Sequence, residues 1–456
     1  MLKRLATTLL GKFESKEELK KFGILGLIFC GIILIYWALR PMKDGIFFTM
    51  IGKDWQPTAK ILSLFIMFPI VILYSKLVDM FPRHKVFYFL TGLYGSIALV
   101  MFFCFSDPSI GLANTVKDPT RILGWVWYIW VESFGSLIVA LFWAIVSDMT
   151  SPEAAKRGFP LIALLGQVGN IIGPLFMNAK RLGFSNSAPV VGILAGLIFA
   201  IGVGFWIFMH VTPAAQLKGY HAEGESSEVE SEPGFFEGLK LLVTRGYLLG
   251  IFLIITIYEV IVTILDYHFK CLAEVAYPTT VSDAELSAYL AYYGAMTGVV
   301  STLCVLFGIN KIQRVLGMKA SLVMLPIMTA GAVLLIKFNP QSLWIAFCII
   351  VLSKAVNYAL NQPTLKQLYI PTSKDTKYKA QAWIEMFGGR FSKGSGSYIN
   401  MWRAPMVASH GSIDGVARFL MVSSILSFGM VGLWLFVAIY VAKTYDNAIK
   451  EKKIVC

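Results

Sequence analysis

Runs of about twenty apolar residues return along this chain from end to end, each the length a helix needs to cross roughly 30 Å of hydrocarbon. The 456 residues are 57% hydrophobic and only 15% charged, against about 25% charge in a soluble protein. The fold class that follows is an all-α polytopic membrane protein. A formal net charge of +13 would point to nucleic acid in a soluble protein. Here basic cytoplasmic loops are the source, and no nucleic-acid partner is expected. The lipid bilayer is the partner the composition demands.

Twelve transmembrane spans are expected, near 22–40, 57–78, 85–106, 122–148, 158–178, 188–211, 247–268, 286–309, 318–337, 341–362, 380–402 and 415–442. An even count puts both termini on one side. The greater part of the 40 lysines and arginines falls in the two tails and the even-numbered loops, so that side is the cytoplasm. Residues 1–21 mix lysine with Glu14, Glu17 and Glu18, which organelle transit peptides avoid. They read as an amphipathic segment on the membrane surface. Residues 212–240 contain "HAEGESSEVESEPG", acidic, serine-rich and aperiodic, the composition of a cytoplasmic linker. The linker divides an N-terminal six-helix bundle (22–211) from a C-terminal one (241–442), with a tail at 443–456. Two six-helix bundles make a major-facilitator-like architecture, whose substrate site lies near the midplane.

Ionisable residues inside spans cost about 2.5–3.5 kcal/mol each at a helix centre, so each must face an aqueous cavity or a partner. Arg40 and Lys43 lie in "YWALRPMKDGIF", Glu132 in "WVESFGSL", Glu259 in "IYEVIVTILDY", Lys354 in "VLSKAVNYALNQPT", and Arg390 with Lys393 in "EMFGGRFSKGSGSYIN". Basic groups from both bundles suit a polyanion. The two glutamates would hold those lysines in place or read the uncharged end of the substrate. Each residue also has a bland account. Arg40 and Lys43, near the end of the first span, would snorkel to headgroups. Lys354 would pair structurally with a neighbouring helix.

The stretch around Lys393 mimics a phosphate loop, but Lys393 precedes its glycines instead of following them, unlike a Walker A loop. Gly388, Gly389, Gly394 and Gly396, like Gly166, Gly169 and Gly173, read as helix-packing residues. The six cysteines form no CxxC pair, so neither a disulfide framework nor a metal site is expected. No nucleophile–base pair stands out. The chain is not expected to be an enzyme, to hold a cofactor, or to act as more than a monomer.

The segments "LRPMKDGIF", "KVFYFL", "VESFGSLIVALFWAIVSD", "EAAKRGFPLIALLGQVGNIIGP", "YEVIVTILDY", "QPTLKQLYIP" and "KYKAQAWIEMFGGRFSKGSGSYI", in this order, resemble the motifs of the nucleotide transporter family, the ATP/ADP translocases of obligate intracellular bacteria and plastids. The resemblance runs from about residue 22 to 440. It implies nucleotide antiport through a twelve-helix protein in a bacterial cell membrane, the plastid envelope being the alternative. It also implies that Lys43, Glu132, Glu259 and Lys393 are the charges transport depends on.

The chain departs from the family where its exchangers read "KYSLFDPTKE". Here "NYALNQPTLKQ" puts Asn357 in place of a lysine, Gln362 of an aspartate, Leu365 of a lysine and Lys366 of a glutamate. The substrate therefore stays open among ATP and ADP, another nucleoside triphosphate, a deoxynucleotide and NAD, and Asn357 joins the binding residues as a reader of base or ribose. Proton-coupled import through Glu132 or Glu259 is an alternative mechanism. A non-transporting receptor or scaffold is an alternative of another class.

Overall fold

The computed structural model describes residues 13–213, 217, 240, 242–306, 310–369, 371–372, 384, 388–451 and 453–455. Most of the expected linker, the first twelve residues and the tract 373–383 lie outside them. Among the described residues ten helices are long and apolar enough to cross a membrane. They correspond to ten of the twelve expected spans. The span expected at 286–309 falls on a 23-residue helix that is not among the ten. The span expected at 380–402 is described as helix over Gly389–Asn400.

Cα proximity divides the chain into two compact units. The first comprises Met1–Lys53, Phe65–Ser226 and Tyr277–Ala295; the second comprises Asp54–Leu64, Ser227–Ala276 and Met296–Cys456.

The first unit opens with α1, Lys16–Met50. Ser15 caps it, accepting from the Glu18 backbone N–H at 3.0 Å, and Glu17 and Glu18 suit the positive end of the helix dipole. At 35 residues it is about 52 Å long, ten residues longer at its end than the first span expected from the sequence. It continues through Pro41, Lys43 and Asp44, all buried.

After α2 (Gln56–Met80) and α3 (Arg83–Ser106) come α4 (Ile122–Asp148), α5 (Pro152–Phe176) and α6 (Ala188–Val211). Helix α1 lies along α5 at backbone contact. A Cβ on Gly169 would strike the Cys30 carbonyl, and one on Gly173 the Leu34 carbonyl. Small residues are what such a close crossing requires. Arg157 pins the two helix starts together, donating Nη2 to Glu18 Oε1 at 2.9 Å.

Trp127, Tyr128, Phe134 and Phe142 of α4 are fully buried. By contrast, only 6% of the most apolar window of the α2 stretch is buried. An apolar helix left uncovered in this way is a lipid-facing one.

The second unit contains α7 (Gly246–Ala276), the C-terminal part of α8 (Ala284–Leu306) from Met296 onward, α9 (Asn310–Phe338) and α10 (Leu343–Val356). Gly317, with φ 83°, bends α9, a conformation that glycine alone adopts without strain. Helix α10 passes through a π-helical turn, Asn357–Asn361, into α11, Gln362–Leu368. The cause is local. Pro363 has no N–H to donate to the carbonyl four residues back, and the Gln362 N–H reaches back five residues to the Asn357 carbonyl.

Helices α12 (Gly389–Asn400), α13 (Arg403–His410) and α14 (Ser412–Glu451) complete the unit. Helix α12 packs against α7 through Gly396, where a Cβ would sit 2.8 Å from the Val260 carbonyl oxygen, and through Asn400, whose Nδ2 donates to the Thr263 carbonyl at 3.1 Å. Gly388 lies beside Phe252 and Gly394 beside Leu64, whereas a Cβ on Gly389 would meet open space. The glycines of "FGGRFSKGSG" thus serve helix packing at three of four positions.

Candidate functional site

In the first unit the charges converge on Lys43. Its ammonium forms an ion pair with Glu132 of α4 and lies 4.4 Å from the Tyr128 ring centroid. Tyr128 and Glu132 are four residues apart and so share a face of α4. Lys43 is 5% exposed as a residue, while the Glu132 side chain is 39% exposed. The cation is sealed in, and its carboxylate opens outward. One turn earlier Arg40 stacks its guanidinium 4.9 Å from the Trp37 ring. These positions correct the snorkelling account of Lys43: the helix continues past it, and its amine is held by Glu132 inside the unit. The adjacent Gly45 is needed for packing, because a Cβ there would overlap the Ser287 hydroxyl of α8.

In the second unit Lys354 of α10 donates to Asp266 Oδ1 at 2.6 Å. Lys270, one turn along α7 from Asp266, pairs with Oδ2 at 2.8 Å. The structural-pair account of Lys354 is therefore met by Asp266. Asn357 is buried and accepts from Asn361 Nδ2 at 2.8 Å. The π turn begins at Asn357, so the helix widens three residues after Lys354. Glu259 is half-buried, with no polar partner among the described residues.

Lys393, expected deep, is exposed together with Phe391 and Tyr398, while Ser392, Gly396, Ser397 and Asn400 form the buried face of α12. Arg390 is half-buried on the same helix. Of the expected set the structure joins Lys43 to Glu132 directly. Asp266 and Lys270 are two of the buried charged residues that the sequence reading does not single out. The signal for them was present: an acid in an apolar run, with a lysine at i+4.

Outside the helices, loop 107–121 is built around Arg121. Its guanidinium donates to the carbonyls of Ile110, Gly111, Asn114 and Val116 at 2.7–3.0 Å. In the segment preceding α8, buried Asp283 accepts from the Ser187 N–H at 3.1 Å. Burial pushes its carboxyl above the ordinary carboxylate range, against the hydrogen bonds from Ser187 and Ser287.

Long apolar helices with charged pairs buried among them define a multi-pass membrane protein of the transporter type. Among solved structures the fold resembles the nucleoside transporter NupG, with a TM-score of 0.60 at 12% identity, covering 93% of this chain and 99% of that one. It is equally similar to a bacterial homologue of the human lysosomal transporter Spinster, with a TM-score of 0.60 at 13% identity over 95% and 99% of the two chains.

Sequence similarity goes further. Residues 13–107 and 122–445 match the family described as TLC ATP/ADP transporter, and the chain belongs to that family. ADP,ATP carrier protein 1 of Rickettsia typhi is 26% identical over 492 aligned residues, covering 96% of each protein. ADP,ATP carrier protein 2, chloroplastic, of Arabidopsis thaliana is 23% identical over 482, covering 96% of this chain and 76% of the relative.

Proposed function

We propose that this chain carries nucleotides across a membrane by alternating access, exchanging ATP, a related nucleotide or NAD for ADP. The observation that carries the reading is the family match, which extends over nearly the whole chain. The buried Lys43–Glu132 pair supports it, because an ionisable pair inside lipid-spanning helices is a functional feature by default.

In this reading Arg40, Lys43, Arg390 and Lys393 meet phosphate oxygens by charge-assisted hydrogen bonds. Glu132 holds Lys43 ready. Lys354, Glu259 and Asn357 read the remainder of the nucleotide. The protein acts as a monomer of twelve spans in a bacterial cell membrane, with both termini and the 212–240 linker in the cytoplasm, and it performs no covalent chemistry. Proton-coupled import is the second reading. It is favoured by Glu259, a half-buried carboxylate with no polar partner among the described residues.

Purified protein in liposomes separates the two. Antiport requires nucleotide inside the vesicle and is indifferent to a pH gradient. Uptake into nucleotide-free vesicles driven by an inward proton gradient would replace the first reading with the second. No uptake of ATP, ADP or NAD under either condition would refute both.

A further inference from the structure

A cavity of about 400 Å³ lies in the first unit, walled by the end of α2, the turn into α3, and the ends of α4 and α6. Successive spanning helices alternate in direction, so these helix ends share one membrane surface, which the proposed topology makes the cytoplasmic one. Val78, Ile145, Met149 and Met209 give the wall an apolar side. Arg83 and His84 give it a basic one, and Asp148 is its one acid among the described residues. Phe81 and Asp148, both exposed, bring the cavity to the surface.

Arg83 is held but not used up. Its Nη1 donates to Asp148 Oδ1 at 2.7 Å and to the Ala144 carbonyl at 3.4 Å. That leaves Nε and Nη2 without an acceptor among the described residues, on a planar fork of the kind that meets phosphate. Lys85 follows, exposed and without an ion pair among the described residues. The exposed side chains nearby are apolar: Phe81 itself, Met80 before it, and Trp206 one turn before Met209. A surface salt bridge alone is worth little, and it requires neither a cavity nor an apolar wall. A free anion has no use for the apolar wall either. A molecule with a phosphate at one end and acyl chains at the other uses both. Basic pockets between spanning helices on the cytoplasmic side are where anionic headgroups bind.

We propose that this cavity holds the headgroup of an anionic phospholipid, with its phosphate on Arg83 and its acyl chains beside Phe81 and Trp206. Asp148 orients the guanidinium and takes no part in holding the lipid.

The test is native mass spectrometry of full-length protein in detergent, titrated with phosphatidylglycerol, phosphatidylethanolamine or phosphatidylcholine of matched acyl chains. Wild type should retain phosphatidylglycerol best. R83Q should weaken that retention about fivefold, the worth of one cation at an anionic membrane surface. D148N breaks the same ion pair but keeps the cation, so it should retain phosphatidylglycerol as well as wild type or better. M209W, which fills the cavity and leaves Arg83 in place, should weaken retention. Equal weakening by R83Q and D148N would leave Arg83–Asp148 a structural salt bridge and overturn the proposal. Full retention by R83Q, or by M209W, would put the lipid elsewhere and overturn it too. Phosphatidylethanolamine retained best, and lost in D148N, would assign a zwitterionic headgroup instead. Displacement of phosphatidylglycerol by inorganic phosphate or glycerol phosphate at the lipid's own concentration would make the cavity a free-anion site and overturn the lipid assignment. If R83Q does not fold, D148N decides, and weaker retention there overturns the proposal.

Discussion

The ion pair between Lys43 and Glu132 is lopsided, and the lopsidedness predicts an unequal response to removing either partner. Lys43 is 5% exposed, whereas the Glu132 side chain is 39% exposed. Glu132→Gln leaves a buried ammonium without its counter-charge. Breaking a fully buried pair costs about 3–5 kcal/mol. Because Glu132 is partly solvated, that figure is discounted for screening to about 1–3 kcal/mol. Lys43→Met removes the buried charge itself, fills the same space with an apolar stem, and leaves a carboxylate that water can reach, so its cost should be below about 1 kcal/mol. The double substitution should recover most of what Glu132→Gln loses. Thermal unfolding of the purified protein in detergent micelles, run as a double-mutant cycle, reads the coupling directly. Nucleotide exchange should be lost in all three variants. Equal destabilisation by the two single changes, or a double variant that is merely the sum of them, would refute the account of Lys43 as sealed and Glu132 as its solvent-facing partner.

Lys393→Gln should leave the melting temperature unchanged, since the side chain is exposed, while lowering nucleotide uptake at least about tenfold, the loss expected for one charge-assisted phosphate contact; uptake at the wild-type rate would remove Lys393 from the site. Arg121→Ala orphans the four loop carbonyls that its guanidinium serves and should cost about 1–3 kcal/mol, with faster proteolysis of loop 107–121 but exchange preserved; a protease-resistant loop would contradict this. Burial raises the Asp283 carboxyl above 3.8, so its contribution to stability is full below that value and is lost as pH rises through the folded-state value. Asp283→Asn should therefore flatten the pH dependence of melting above pH 4 and raise stability at neutral pH, and an unaltered melting curve across that range would count against it.

Ten of the twelve expected spans are legible in the sequence because long apolar runs have one solution in lipid. The end of the first helix could not. Arg40, Lys43 and Asp44 look like a polar boundary, and they are tolerated inside α1 because Lys43 finds Glu132, 89 residues away, a partner no local pattern reveals. Asp266 and Lys270 were passed over for a related reason: the seventh span, ended at 268, leaves Lys270 outside the membrane and Asp266 without its i+4 partner. Lys393 lies on helix α12, but its exposure depends on helix phase, and it sits one residue from the buried Ser392. The π turn follows from Pro363, yet a proline in an apolar helix is equally compatible with a simple kink.

The division of the chain has a consequence for biosynthesis. The first unit is not finished when its six long helices have been made, because it includes Tyr277–Ala295, and the second includes Asp54–Leu64, among the earliest residues translated. Domains commonly fold in order as they leave the ribosome. Here the first unit must wait, with the α8 side of Gly45 still open, until residue 295 has emerged. An insertase or chaperone that shields α1 during that interval would meet a helix already packed on α4 through Phe47 but still open at Gly45. Stalling translation between residues 240 and 300 is therefore the interval in which the nascent chain is most exposed to membrane proteases.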